Sequence, residues 1–154
     1  MNQIFKICKD EPILKSALSY LIANNMGNTN PYHSFEHIAN VFLNCVEAVE
    51  YHSIPEKEKI NLLVAALFHD FNHSGGKYAD NVNIENSLLG VQAWIKDRND
   101  GDLEYEQIKS LIEITEFPYK VESNTLNLTQ QILRDADMGS VFTDNWFQTI
   151  MLGL

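Results

Sequence analysis

Apolar side chains recur along this chain at intervals of three and four, the spacing that gathers them on one face of an α-helix. Residues 10–26 place Ile13, Leu14, Ala17, Leu18, Leu21 and Ile22 on such a face, accept Pro12 in the first turn and stop at the polar run Asn24-Asn25-Met26-Gly27-Asn28. A second helix is predicted over 34–51, with Ile38, Val41, Phe42, Cys45, Val46 and Val49 as its stripe. After the reset at Ser53-Ile54-Pro55-Glu56, a third runs over 55–70 and is apolar almost all round from Leu62 to Phe68, the mark of a central, buried helix. Residues 71–83 read as a loop in which Gly75-Gly76 permit a sharp bend. Further helices are predicted at 84–97, at 103–115 ending before Phe117-Pro118, at 126–138, and as a short segment at 144–152. No convincing period-2 run, internal repeat or low-complexity segment interrupts this pattern, so the expected fold is all-α, with 1–154 as a single domain.

Composition adds limits. The 154 residues can bury a core without disulfides or a structural metal, and 45% hydrophobic with 21% charged residues describes an ordinary globular chain. Cys8 and Cys45 match no zinc spacing and are expected as buried free thiols. No stretch approaches the ~18 apolar residues of a membrane span, and an acidic pair interrupts the N-terminus where a signal peptide is apolar. The expectation is therefore a cytoplasmic protein with no membrane partner. A net charge of −10 disfavours duplex nucleic acid and anionic lipid, so a phosphate-bearing substrate would need a cation to meet its charge.

All five histidines fall between residues 33 and 73. His33 and His37 lie four apart and are expected on one side at a helix start. His69 and Asp70 close the central apolar run, His73 follows, and Asp135 and Asp137 come near the end of a late helix. Imidazole and carboxylate are the ligand types that hold divalent cations such as zinc, iron or manganese, and loops on a rigid scaffold are where sites are built. His52, at a helix end, suits a dipole contact instead.

These segments also resemble known ones. Asn30-Pro31-Tyr32-His33-Ser34-Phe35-Glu36-His37 is similar to the NPYHNxxH signature of class I cyclic-nucleotide phosphodiesterases, 65–75 (AALFHDFNHSG) to their HDxDHxG block, and Ala136-Asp137-Met138 to their late ADxS block. The YHxxxH motif, the loop after the HD pair and the Asn/Glu-rich 80–87 resemble small bacterial HD phosphohydrolases. Across roughly residues 30 to 140 the chain thus resembles the HD-domain metallohydrolase superfamily. The resemblance implies an HD-domain-like helical bundle with a metal site between helices, in a metal-dependent phosphohydrolase acting on a nucleotide or related small phosphoester. It implies His37, His69, Asp70 and Asp137 as ligands of one tight divalent metal (Zn, Fe, Mn, Mg or Ni), with Asp70 bridging to a second, mostly water-coordinated ion. By the same likeness His33 is the general acid and His73 orients the nucleophile or a metal-bound water. Asn72 and Asn40 stand where many phosphodiesterases have acids, and Ser34 where they have asparagine, which bears on the tuning of the ligands. The segment that clamps the purine in those enzymes would fall past Leu154, so that route of recognition is not expected here.

Other residues have two readings. Asp135 competes with Asp137 as the ligand; the order small residue, acid, apolar residue favours Asp137. Lys77 and Arg134 either meet a substrate phosphate or are solvated charges, Glu85 either contacts a metal water or sugar hydroxyl or is solvated, and Phe71 either stacks on a base or joins Phe68, Trp94 and Trp146 in the core. The apolar end 146–154 is either a last core helix or a homodimer contact. Two other functions share the scaffold: a non-catalytic HD module that binds a nucleotide or partner, and a di-iron HD oxygenase, which is disfavoured because no histidine follows His73.

Overall fold

The computed structural model describes residues 2–26, 30, 32–98 and 103–139; the expected helix at 144–152 and the apolar end at 146–154 lie outside them. Among the described residues the protein is all-α: α1 (Asn2–Cys8), α2 (Pro12–Asn24), α3 (Phe35–Tyr51), α4 (Glu56–Phe68), α5 (Asp80–Arg98), α6 (Tyr105–Glu113), a 3₁₀ turn (Ser123–Thr125) and α7 (Leu128–Met138). None of these helices is long and apolar enough to cross a membrane. Cys8 and Cys45 are buried free thiols, and burial pushes the Cys8 thiol up to about 12.

Local chemistry sets most boundaries. The Glu11 carboxylate accepts the Ile13 N–H at 3.1 Å and starts α2 beside Pro12. Ser34 caps α3 by accepting the His37 N–H at 3.3 Å. Asn127 and Gln130 form a reciprocal capping box at the head of α7. Glu56 and Glu58 occupy the first turn of α4, where the helix dipole favours acids.

One element is not anticipated by the sequence pattern and one expectation is corrected. The N-terminal segment forms α1, a two-turn helix with Ile4 and Cys8 buried and Ile7 packed against the core, too short to show a period in the sequence. The loop predicted over 71–83 is shorter, since α5 begins at Asp80 rather than Ile84. Its first turn is polar and offers no apolar period, yet Asn83 and Ile84 are both buried.

The central helix is α4, as its all-round apolar sequence predicts: every residue from Ile60 to Phe68 is buried, and α2, α3, α5, α6 and α7 pack around it. Its one polar member, Asn61, donates to Gln107 of α6 at 2.8 Å. Large side chains buried this way contribute roughly 1.5–3 kcal/mol each, so the run fixes α4 firmly and with it the His69–Asp70 pair at its end. α7 packs on both α3 and α4, which is what carries its last turn back to His37.

Beside α4, Phe71 packs between Tyr20 and Phe68 and lies against Gly90 of α5. A Cβ at Gly90 would collide with Cδ1 of Phe71 and lie 2.8 Å from Cε1 and 2.9 Å from Cγ. Gly90→Ala, although favourable for helix propensity, is therefore expected to lower the unfolding free energy by about 1–3 kcal/mol. Urea denaturation measures this, and a midpoint equal to or above wild type would contradict the packing described.

Candidate metal centre

Three helix ends and one loop converge. His37 comes from the first turn of α3, His69 caps the C-terminus of α4 with Asp70 next, and Asp137 sits in the last turn of α7. The His37 Nε2 atom lies 3.0 Å from Asp137 Oδ1, 3.2 Å from His69 Nε2 and 3.4 Å from Asp70 Oδ2. His69 Nε2 is 3.6 Å from Asp137 Oδ1 and 3.7 Å from Asp70 Oδ2. A cation with bonds of about 2.1 Å puts neighbouring ligands about 3.0 Å apart in an octahedron and about 3.4 Å apart in a tetrahedron. Three of the five distances fall in that range and the other two lie a few tenths of an ångström above it, so His37, His69 and Asp137 form a group that could hold a divalent metal, with Asp70 beside it.

The tautomer of His69 fits as well. Its Nδ1–H donates to the Ala66 carbonyl at 2.9 Å, which leaves the Nε2 lone pair directed at the cluster, as in histidines that bind metals. Ser87 steadies the same turn by donating to the His69 carbonyl at 2.6 Å. The Nδ1 of His37 is buried without a hydrogen-bond partner, and the ring is held instead by stacking on Tyr32 at 5.0 Å between centroids. Of the competing acids, Asp137 joins the cluster and Asp135 is exposed, because residues two apart on a helix point to opposite sides.

A second group adjoins the first through Asp70, formed by His33, Asp70 and His73. His33 Nδ1 is 2.8 Å from Asp70 Oδ2, and the His33 and His73 rings stack at 3.3 Å between centroids and 19° between planes. His33 is not on the helix as expected; it precedes the cap Ser34, and its N–H, like that of Tyr32, donates to Asn30 Oδ1 at 2.8 Å. Asn30 also packs on Gly75, whose φ of +65° and lack of a Cβ admit the amide, so the two motif loops lock together. His73 has both nitrogens engaged: Nδ1 accepts the Gly75 N–H at 3.1 Å and Nε2 faces Asp80 Oδ1 at 3.4 Å. Asn72, with a φ of 55°, turns away from the cluster; its Oδ1 accepts the Met26 N–H and its own N–H donates to Asn25. It fastens the end of α2 rather than tuning a ligand.

His33, His69, Asp70, His73 and Asp137 border a cavity of about 340 Å³, with Tyr32, Tyr78, Phe117 and Tyr119 among its walls. Sequence reasoning missed these aromatic walls, and Asp80, Asn83 and Thr115 with them, because they come from loops and helix ends without periodicity. None of the four residues with a possible substrate role, Lys77, Glu85, Arg134 and Phe71, is among the described residues that line the cavity. Arg134 is buried, donating to the Ile114 carbonyl at 3.0 Å and the Val121 carbonyl at 2.9 Å with its guanidinium 4.1 Å from the Tyr119 ring centroid. Phe71 belongs to the core, and Lys77 and Glu85 are exposed away from the cavity lining. No lysine or arginine is among the described residues that line it.

Electrostatics follow from this crowding. Burial alone would lower the His69 pKa, but the Asp70 and Asp137 carboxylates outweigh it and raise it to about 9. Burial would raise Asp137, but the bonds from His37 and His69 hold it at about 2; Asp70, against His69 and His33, is held far below the ordinary carboxylate range. Burial and then Asp137 push the Tyr119 phenol up to about 12, so it stays a neutral donor.

A proton on His69 occupies the lone pair that a cation needs. Its folded pKa is raised from 6.5 to about 9, so in the metal-free protein the stabilisation from that proton is complete below pH 6.5 and lost as pH rises through about 9. Metal affinity is accordingly expected to climb by about tenfold per pH unit as pH rises towards that value and then level off. Chelator competition at several pH values, with calorimetry in two buffers to count the released proton, measures it; a flat affinity profile would refute the assignment. No protein-family model, curated protein or solved structure matches the chain, so the functional reading rests on this geometry.

Proposed function

We propose that the protein is a metal-dependent phosphohydrolase of the HD type that cleaves the phosphoester of a nucleotide or related small molecule. The observation that supports it most is the joining of two groups through Asp70: a fitted donor set for a divalent cation on one side and a carboxylate-held histidine at the cavity on the other. A bound divalent cation supplies Lewis acidity, lowering the pKa of water and drawing charge from phosphoryl oxygens.

The side chains divide the remaining work. With Nδ1 engaged by Asp70, His33 has Nε2 left to give a proton to the leaving oxygen of a group in the cavity it lines. Tyr119, neutral over the working pH range, offers an O–H to a phosphoryl or sugar oxygen. Tyr32, Tyr78, Phe117 and Tyr119 present ring faces and edges to a planar organic group, which suits a nucleobase. Since no lysine or arginine is among the described residues lining the cavity, the cation is the main positive charge available to the phosphate.

Phosphate release from a panel of nucleotides, cyclic nucleotides and simple phosphoesters, in the presence of Zn, Fe, Mn, Mg or Ni, tests the proposal. Asp137→Ala is expected to lose both tight metal and turnover. His33→Gln is expected to keep the metal and lower kcat by about 10²–10⁴-fold. Absence of turnover with every metal and ester, or wild-type rates from Asp137→Ala, would end the proposal.

A further inference from the structure

Asp80, at the start of α5, is the carboxylate among the described residues lining the cavity to which the phosphohydrolase reading gives no role. Its side chain has three partners from three parts of the chain. Oδ2 accepts the Phe117 N–H at 2.6 Å from the loop after α6; Oδ1 accepts the Asn83 amide at 3.2 Å and faces His73 Nε2 at 3.4 Å. Asn83 in turn accepts the Ser74 N–H at 3.0 Å, next to His73. The titratable groups around His73 are thus Asp80 on one edge, His33 on its face, and Asp70, which forms one close group with both histidines.

A carboxylate only accepts hydrogen bonds, so His73 must present Nε2–H to it. The other nitrogen is then bare, and it does accept the Gly75 N–H. The two contacts select one tautomer of His73 and fix its ring plane from both ends. On that ring lies His33, stacked at 3.3 Å between centroids, with its Nδ1 on Asp70.

We propose that Asp80 is a positioning residue: by fixing His73 in the Nε2–H tautomer and tying it to the Phe117 wall, it holds His33 through the ring stack in the orientation that proton transfer requires. The kinetic part rests on the phosphohydrolase reading; the tautomer and the stack do not. Asp80→Asn keeps size and shape but puts an amide N–H where one acceptor oxygen stood. Either Phe117 or His73 then loses its bond, or His73 changes tautomer and sets Nδ1–H against the Gly75 N–H.

The test joins a spectroscopic and a kinetic reading. In the 154-residue chain, ¹⁵N–¹H correlation spectra of the imidazoles are expected to show His73 as the Nε2–H tautomer. Asp80→Asn should disturb that tautomer and shift the His33 ring resonances, while metal content and thermal midpoint stay close to wild type. With an ester that wild type hydrolyses, the variant should lose about tenfold or more in kcat, with a smaller change in KM, since misplacing a reacting group raises the barrier without removing substrate contacts. Asp80→Ala, which frees both partners, should shift the same resonances. An Nδ1–H tautomer in wild type, or unchanged His33 resonances in both variants, overturns the proposal whether or not any ester is cleaved. So does an unchanged kcat in a variant of an active enzyme. If every protein is inactive yet the resonances behave as expected, the phosphohydrolase reading fails and the Asp80 clamp stands as a structural device.

Discussion

Two imidazoles and two carboxylates confined within 3.7 Å of His37 or His69, at the end of a helix whose last seven residues are all apolar and buried, are the constraint on which the rest of this molecule depends. Bringing a carboxylate out of water costs several kcal/mol unless opposite charge and hydrogen bonds replace the lost solvation. Two carboxylates in one buried cluster need either protons on the histidines or a cation between them. Stability is a poor reason to build such a cluster, since well-packed apolar residues in place of buried ions are often neutral or stabilising by about 1–4 kcal/mol. The surrounding architecture nevertheless upholds it. The cap at Ser34, the 2.9 Å bond from His69 to the Ala66 carbonyl and the packing of α7 on α3 each aim one donor inward. That investment in orientation sets the cluster apart from ordinary core packing, and its donors are of the kind that could hold a metal ion.

The helices that were legible from sequence are those with an apolar period bounded by clear stops. α2, α3, α4, α6 and α7 each fall within two residues of their expected limits, because repeated spacing defines a face and caps or prolines close it. α1 is only two turns long, with Ile4 and Cys8 buried and Phe5 exposed, and α5 opens with Asp80-Asn81-Val82-Asn83, whose polar side chains hide the helix from a hydrophobic count. The expected ligands do converge, since each occupies a helix end that periodicity locates. His33 does not follow helical spacing; it reaches Asp70 from an extended turn held by Asn30.

Sequence proximity left two readings open where side-chain direction decided between them. Arg134 is one turn before Asp137, but side chains on a helix lean towards its N-terminus, and this one reaches back to the carbonyls of 114 and 121. In that place it stacks on Tyr119 and shapes the cavity wall from behind. Phe71 stands beside Asp70, but it turns into the core just before the backbone reverses at Asn72. The aromatic walls of the cavity carry no signal of their own in the sequence; Tyr32, Phe117 and Tyr119 become neighbours only when the loops before α3 and after α6 are folded over the HD turn.

The charge balance of the chain fits the division of labour in the phosphohydrolase reading. A net charge of −10 repels an anionic substrate at long range, but salt at physiological strength screens exposed charges beyond about 8 Å. Inside the cavity screening is weak, and no lysine or arginine among the described lining residues competes with a cation for a phosphoryl oxygen. The anion would thus be placed by the metal and the organic part by the rings, two kinds of contact that act at different ends of one molecule. An ester that lacks the planar group would keep the first and lose the second, so the walls of the cavity, more than the metal, would decide which phosphoester is bound.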